Sequence, residues 1–222
     1  PDGHFVGYAT DRAATRTALA YTLKRLRVDY IDIYRPARVA PNIPIEDTVG
    51  AIAEMVKEGY VRHIGLSEAG VDTIRKAHAV HPIVDLQIEY AILTRGVEDK
   101  ILPVLRELGI GMTAYGVLSR GLISDSALAG GSRSGFRSMA PRFQGENLDR
   151  NLALVQALKD IATEKGCTVA QLAIAWVSAR GQDIVPLIGA RKPAGLAEAL
   201  QALDVTLTPP DVARIDAAAP VA

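Results

Sequence analysis

The sequence predicts an α/β fold of the (β/α)₈ barrel class, and three observations carry that expectation. Short β-branched or aromatic runs alternate with longer stretches of helical periodicity, five such strands are visible, and no G-x-G-x-x-G stands between a strand and a helix. Alternation implies parallel pairing, because parallel neighbours need a crossover and a helix supplies it. A doubly wound sheet and a barrel both suit five parallel strands, and the missing dinucleotide fingerprint favours the barrel.

The first helix is expected over Arg12–Arg27, where Leu19, Leu23 and Leu26 fall on one face. Tyr30–Arg35 follows as a strand. A second helix spans Pro44–Glu58: Pro44 suits a first turn, Glu46 and Asp47 oppose the positive helix end, and Gly59 can terminate it. Its inward face is Ile45, Val49, Ile52 and Val56. Then come strand Arg62–Ser67, helix Val71–Val80, strand Asp85–Tyr90, helix Val97–Leu108 with Ile101, Leu105 and Leu108 inward, and strand Gly111–Gly116. A long interruption from Val117 to Asn147 holds Gly130, Gly131, Gly135 and Pro141, and loops of this length are usually functional or mobile. Helices Leu148–Lys165 and Thr168–Arg180, strand Asp183–Gly189, helix Pro193–Leu203 and a short helix after Pro209-Pro210 complete the pattern.

Composition removes several function classes. The 25 basic and 25 acidic residues cancel, so no long-range field favours nucleic acid or an anionic membrane as partner. No apolar run approaches the ~20 residues of a membrane helix, and Pro1–Gly7 has neither the basic segment nor the apolar core of a secretory signal. Cys167 is the single cysteine, which rules out an intrachain disulfide and a Cys-rich metal site and fits a small buried apolar role. His78 and His81 stand three apart without a third ligand, so a surface pair is expected and no metal. A cytoplasmic protein is the expectation, and its polar outer helices suit a monomer or a homo-oligomer alike.

Three stretches carry more than fold. They are Leu23-Lys-Arg-Leu-Arg-Val-Asp-Tyr-Ile-Asp-Ile-Tyr34, Gly50-Ala-Ile-Ala-Glu-Met-Val-Lys-Glu-Gly-Tyr-Val-Arg-His-Ile-Gly-Leu-Ser-Glu68 and Leu86-Gln-Ile-Glu-Tyr90. In this order, and continuing through Ala114-Tyr-Gly-Val-Leu118, Arg142-Phe-Gln-Gly-Glu-Asn-Leu148 and Pro186-Leu-Ile-Gly-Ala-Arg191, the chain resembles the aldo-keto reductase family. The similar branch is that of bacterial general reductases and potassium-channel β subunits. The resemblance covers nearly all of residues 1–222, as one barrel domain lacking the first three βα units.

That resemblance implies NADPH extended across the C-terminal mouth of the barrel. Ser67 matches the hydroxyl that bonds the nicotinamide carboxamide, Glu68 stands where many members have Asn, and Gln87 matches a second carboxamide ligand. Tyr115 matches the aromatic on which the nicotinamide stacks, with Gly116 and Leu118 following it in the same motif. Gly189 and Arg191 match the loop that grips the adenosine phosphate, where an Arg fork suits a 2′-phosphate. Glu198 matches the acidic residue that meets the adenine, although the family's neighbouring Asn is Ala199 here and another polar partner is Gly195. Plain structural roles also suit these positions: a rim aromatic for Tyr115, a helix N-cap for Ser67, a solvated charge for Arg191.

The resemblance further implies reduction of an aldehyde or ketone by hydride transfer, with a Tyr acid tuned by Lys, Asp and His. The Asp, Tyr and Lys belong to strands with no counterpart here, and are expected upstream. After Tyr34 the chain reads Arg-Pro-Ala-Arg, and Ala37 fills the His slot. Ala37 can neither give nor take a proton. On a regular strand Arg35 shares its parity, so Arg35 or Arg38 is a candidate for fixed positive charge near a carbonyl oxygen. Two functions stay open: a reductase with a variant active site, and an NADPH-binding sensor or scaffold with little catalysis.

Overall fold

The computed structural model describes residues 8–128 and 139–220. The opening segment 1–7 and the glycines Gly130, Gly131 and Gly135 therefore lie outside the described residues. Five strands form one sheet in chain order, β1 (Ile31–Tyr34), β2 (Val61–Ser67), β3 (Ile83–Glu89), β4 (Gly111–Tyr115) and β5 (Ile184–Pro186). β1 pairs with β2, and β2 with β3, in parallel as expected. The chain divides into two compact units, one of Pro1–Ile88 with Glu98–Thr113, the other of Glu89–Val97 with Ala114–Ala222.

In the first unit the helices are α1 (Arg12–Leu26), α2 (Ile45–Lys57), α3 (Val71–Val80) and α4 (Ile101–Leu108). α2 buries Ile45, Val49, Ile52 and Met55, each worth roughly 1.5–3 kcal/mol when fully removed from water. Met55 thus takes the inward place expected for Val56, which is only half-buried. The helix stops as expected at Gly59, whose φ of +84° lets its N–H reach Val56 O while Tyr60 N reaches Met55 O. On α1 only Leu19 of the three expected leucines is buried, and Leu26 is exposed.

α4 begins at Ile101 instead of Val97, and Pro103 is the reason. Proline lacks an N–H and is tolerated in a first turn, whereas a start at Val97 would place it in the interior. β2 and β3 carry a register shift between Ile64 and Gly65, after which Gly65 lies beside Asp85 and Ser67 beside Gln87. That shift sets which side chains meet at the strand ends.

In the second unit the described residues of the Val117–Asn147 interruption include short elements of their own. These are a 3₁₀ turn at Ser119–Gly121, the short helix α5 (Asp125–Leu128) and a second 3₁₀ turn at Pro141–Phe143. Then come α6 (Gly145–Glu164), α7 (Val169–Ala179), α8 (Pro193–Leu200) and α9 (Pro209–Ala218). α7 is apolar nearly all round and buries Leu172, Ile174, Trp176 and Val177. Thr168 caps it, accepting from Gln171 N while the Gln171 side chain returns to Thr168 N. No helix among the described residues is long and apolar enough to cross a membrane.

Candidate functional site

Within the first unit, the C-terminal ends of β2 and β3 present Ser67 and Gln87 as register partners. Ser67 is buried and Gln87 half-buried. Glu68 N donates to Gln87 O at 3.0 Å, which ties the two strand ends together. α3 takes Gly70 as its N-cap, so the Ser67 hydroxyl does not serve there. It lies instead 3.5 Å from Arg38 Nη1. Glu68 is exposed and left-handed at φ +53°, a conformation that suits Asn or Gly better than Glu.

Arg35, just past β1, turns inward among residues of three other strands. Its Nε donates to Asp85 Oδ2 at 2.5 Å, Nη1 to Gln87 Oε1 at 3.1 Å, and Nη2 to Thr113 Oγ1 at 3.4 Å. Thr113 in turn donates to Asp85 Oδ1 at 2.6 Å. Both oxygens of a buried carboxylate are thereby engaged. Gly65 makes room for this: a Cβ there would stand 2.7 Å from Arg35 Cγ. Of the two candidate cations, Arg35 is neutralised by Asp85, whereas Arg38 is exposed and also donates to Ala37 O at 2.6 Å. Ala37 itself is exposed.

Sequence reasoning missed Asp85 and Thr113. A signal for them existed in strand parity: Asp85, Gln87 and Glu89 alternate with Leu86 and Ile88, and Thr113 and Tyr115 alternate with Met112 and Ala114. One face of each strand is polar where the other is buried and apolar.

In the second unit, Tyr115 ends β4 half-buried and Leu118 follows, also half-buried. Between them Gly116 has φ +70°, and a Cβ there would approach Glu89 Cγ to 3.0 Å. Glu89 is held by Arg142 at 3.0 Å and faces Arg120 at 3.8 Å. Ser119 and Arg120 both have positive φ, 48° and 60°. The Ser119 hydroxyl is fully buried without a hydrogen-bond partner among the described residues. Gly189 and Arg191 are exposed in the segment before α8, and Glu198 lies on α8. Glu198 Oε1 accepts from Thr168 Oγ1 at 3.3 Å, and its backbone carbonyl accepts from Gln171 Nε2 at 3.1 Å.

The two histidines have local roles. His78 Nδ1 accepts from Ile83 N at 3.2 Å, joining the end of α3 to the start of β3, and His81 lies against Pro82 O. Among the described residues no group of three or more His, Cys, Asp or Glu side chains is placed to hold a metal ion. Cys167 is half-buried, and that burial pushes its thiol up from the ordinary range against a smaller opposing pull from Lys165.

A family model described as "Aldo/keto reductase family" matches residues 4–220. A curated relative from Glycine max, "Probable aldo-keto reductase 1", is 44% identical over 200 residues, which is 90% of this chain and 58% of the relative. The chain thus spans a little over half the length of that relative. Among solved structures, the glycerol dehydrogenase AKR11B4 from Gluconobacter oxydans aligns with a TM-score of 0.87 at 26% identity, over 95% of this chain and 64% of its own. A thermostable aldo-keto reductase crystallised with the inhibitor epalrestat aligns at 0.77 and 28%, over 94% of this chain and 67% of its own. The barrel class expected from the sequence holds, with five of its strands in this chain.

Proposed function

The chain belongs to the aldo/keto reductase family, and from that premise we propose that it binds NADPH and serves the reduction of an aldehyde or ketone to an alcohol. The observation that carries the reading is the pairing of Ser67 and Gln87 at neighbouring strand ends. A carboxamide offers one acceptor oxygen and two N–H donors, and a hydroxyl beside a primary amide can satisfy both kinds. The donor set therefore fits a nicotinamide carboxamide. Tyr115 is proposed to stack on the ring and leave one face open, with Gly116 and Leu118 continuing that wall. Glu68 is proposed to lie near the carboxamide through its backbone more than its side chain.

At the adenosine end, Gly189 and Arg191 are proposed to hold the phosphates and Glu198 to meet the adenine. Preference for NADPH over NADH is assigned to Arg191, whose fork bonds a phosphate with charge assistance. The bound cofactor supplies a hydride to the carbonyl carbon. Ala37 carries no proton, so delivery to the oxygen does not pass through position 37. Arg38, exposed beside Ser67, is the cation we propose to face the substrate oxygen. Residues 1–222 are proposed to belong to one barrel domain, of which they lack the first three βα units, in a cytoplasmic protein that engages small carbonyl compounds and neither nucleic acid nor membrane.

Cofactor-fluorescence titration of the 222-residue chain, with carbonyl-dependent oxidation of NADPH, tests the reading. Saturable NADPH binding supports it, and absence of binding overturns it. Arg191→Ala is expected to weaken NADPH about tenfold or more while leaving NADH within about twofold, the scale of one charged hydrogen bond. In a chain that carries the Tyr acid and Lys expected upstream, binding without turnover of any aldehyde or ketone would favour the sensor or scaffold, a reading that the proton-less Ala37 also suits.

A further inference from the structure

We infer that Arg35 is a positioning residue, clamped between Asp85 and Thr113, that fixes the Gln87 carboxamide with Oε1 turned inward and Nε2 left for the ligand. The site then selects a ligand through an acceptor oxygen. The inference rests on the proposed reading of Gln87 as a cofactor ligand and adds the polarity of that contact.

The Arg35 guanidinium has five N–H donors and no acceptor. Arg35 Nη1 lies 3.1 Å from the Gln87 side chain, so only the carbonyl oxygen of that amide can face it. The opposite flip would set donor against donor and lose a charge-assisted bond, a bias of about tenfold or more in population. Among the described residues nothing accepts from Gln87 Nε2, and the side chain is half-buried. Its N–H groups are the part of the amide still available.

Arg35 cannot readily swing away to release this constraint. Nε is bonded to Asp85 at 2.5 Å, and the second Asp85 oxygen is taken by Thr113 at 2.6 Å. Asp85 is only 7% exposed. Beneath the stem, Gly65 leaves a space that a single methyl would fill to 2.7 Å from Arg35 Cγ. The contacts come from β2, β3 and β4, so the guanidinium is held on several sides. A ligand amide meeting Gln87 is therefore required to present its oxygen, and its NH₂ must find an acceptor elsewhere, for which the Ser67 hydroxyl is placed.

Two analogues separate the polarities. Reduced 3-acetylpyridine adenine dinucleotide phosphate keeps the oxygen and replaces NH₂ by methyl. The thionicotinamide analogue keeps NH₂ and replaces oxygen by sulfur, a poor acceptor. For the native chain the acetyl analogue is expected within about threefold of NADPH, and the thio analogue about tenfold weaker. In Arg35→Met, Gln87 is free to turn, and the thio penalty is expected to shrink below about threefold. Gln87→Glu retains an acceptor for Arg35 but has no N–H, and is expected to weaken NADPH about tenfold while 2′-phospho-ADP-ribose binding stays unchanged. That fragment shows the fold is intact, so a misfolded Arg35→Met leaves Gln87→Glu as the deciding variant. Unaltered discrimination in Arg35→Met, or unaltered NADPH affinity in Gln87→Glu, overturns the inference. Failure of the native chain to bind NADPH at all would instead remove the functional reading on which it rests.

Discussion

The cluster around Arg35 and the loop that follows β4 treat buried polar groups in opposite ways. In the first, a buried carboxylate has both oxygens bonded, and the arginine it holds reaches two further side chains. In the second, two successive residues take left-handed backbone and a fully buried hydroxyl has no partner among the described residues. A satisfied network orders its members and makes each one hard to remove. An orphaned hydroxyl on a strained turn lowers stability where it stands, so removing it is a gain. The first cluster is held rigid by bonds between strands. The loop is held by its backbone and the packing around it.

Substitution at Asp85 would break this contrast most sharply. Asp85→Ala leaves Arg35, with 27% of its side chain exposed, without its counter-charge. A loss of about 2–4 kcal/mol is expected in urea unfolding, at the lower side of the range for broken buried pairs because water reaches the guanidinium. Adding Arg35→Met should recover most of that loss. A single-variant cost below about 0.5 kcal/mol would mean that the network is not a stabilising unit.

The opposite sign is expected in the loop. Ser119→Gly removes both the orphaned hydroxyl and the penalty of φ +48°, for a gain of about 1–3 kcal/mol. Ser119→Ala removes only the hydroxyl, so the difference between the two variants isolates the backbone share. Destabilisation by Ser119→Gly would show that the hydroxyl has an acceptor in solution. Glu68, another left-handed residue, just past the end of β2, offers a smaller test. Glu68→Asn is expected to raise stability by about 0.5–1 kcal/mol, because Asn visits this conformation at lower cost.

What the sequence made legible follows from periodicity. Val49 and Ile52 on α2 repeat at helical spacing and bury as expected. Apolar spacing extends the expected α4 back to Val97, whereas Pro103 confines the helix to a start at Ile101. Ser67 and Gln87 were legible through motif order, and the structure makes them register partners. The Arg35–Asp85 bond was not, since its partners are 50 residues apart and meet only after the register shift at Ile64 and Gly65. Nor does the residue type announce the Ser119 conformation, because serine normally avoids positive φ.

A third arrangement, at the junction of α6 and α9, extends the contrast to titration. Lys165, the C-cap of α6, donates to Asp211 Oδ2 at 2.5 Å, and Thr208 N and Oγ1 donate to the same oxygen at 2.8 and 2.7 Å. The Lys165 hydrogen bond, followed by those from Thr208, holds the Asp211 carboxyl well below the usual carboxylate range. A carboxylate depressed in the folded state contributes stability above its unfolded value of about 4 and loses it as pH falls through the folded value. Denaturation midpoints of the native chain should therefore decline below about pH 4, and Asp211→Asn should flatten that decline while lowering stability at neutral pH. The exposed pairs Arg16–Glu58 and Arg75–Glu107 also lower their carboxyls, yet solvent and salt screen them. Raising salt at neutral pH should reduce the small contribution of those pairs and leave most of the Asp211 effect in place. If the native chain and Asp211→Asn decline in parallel as pH falls, the Lys165–Asp211–Thr208 bonds do not link α6 to α9 in solution.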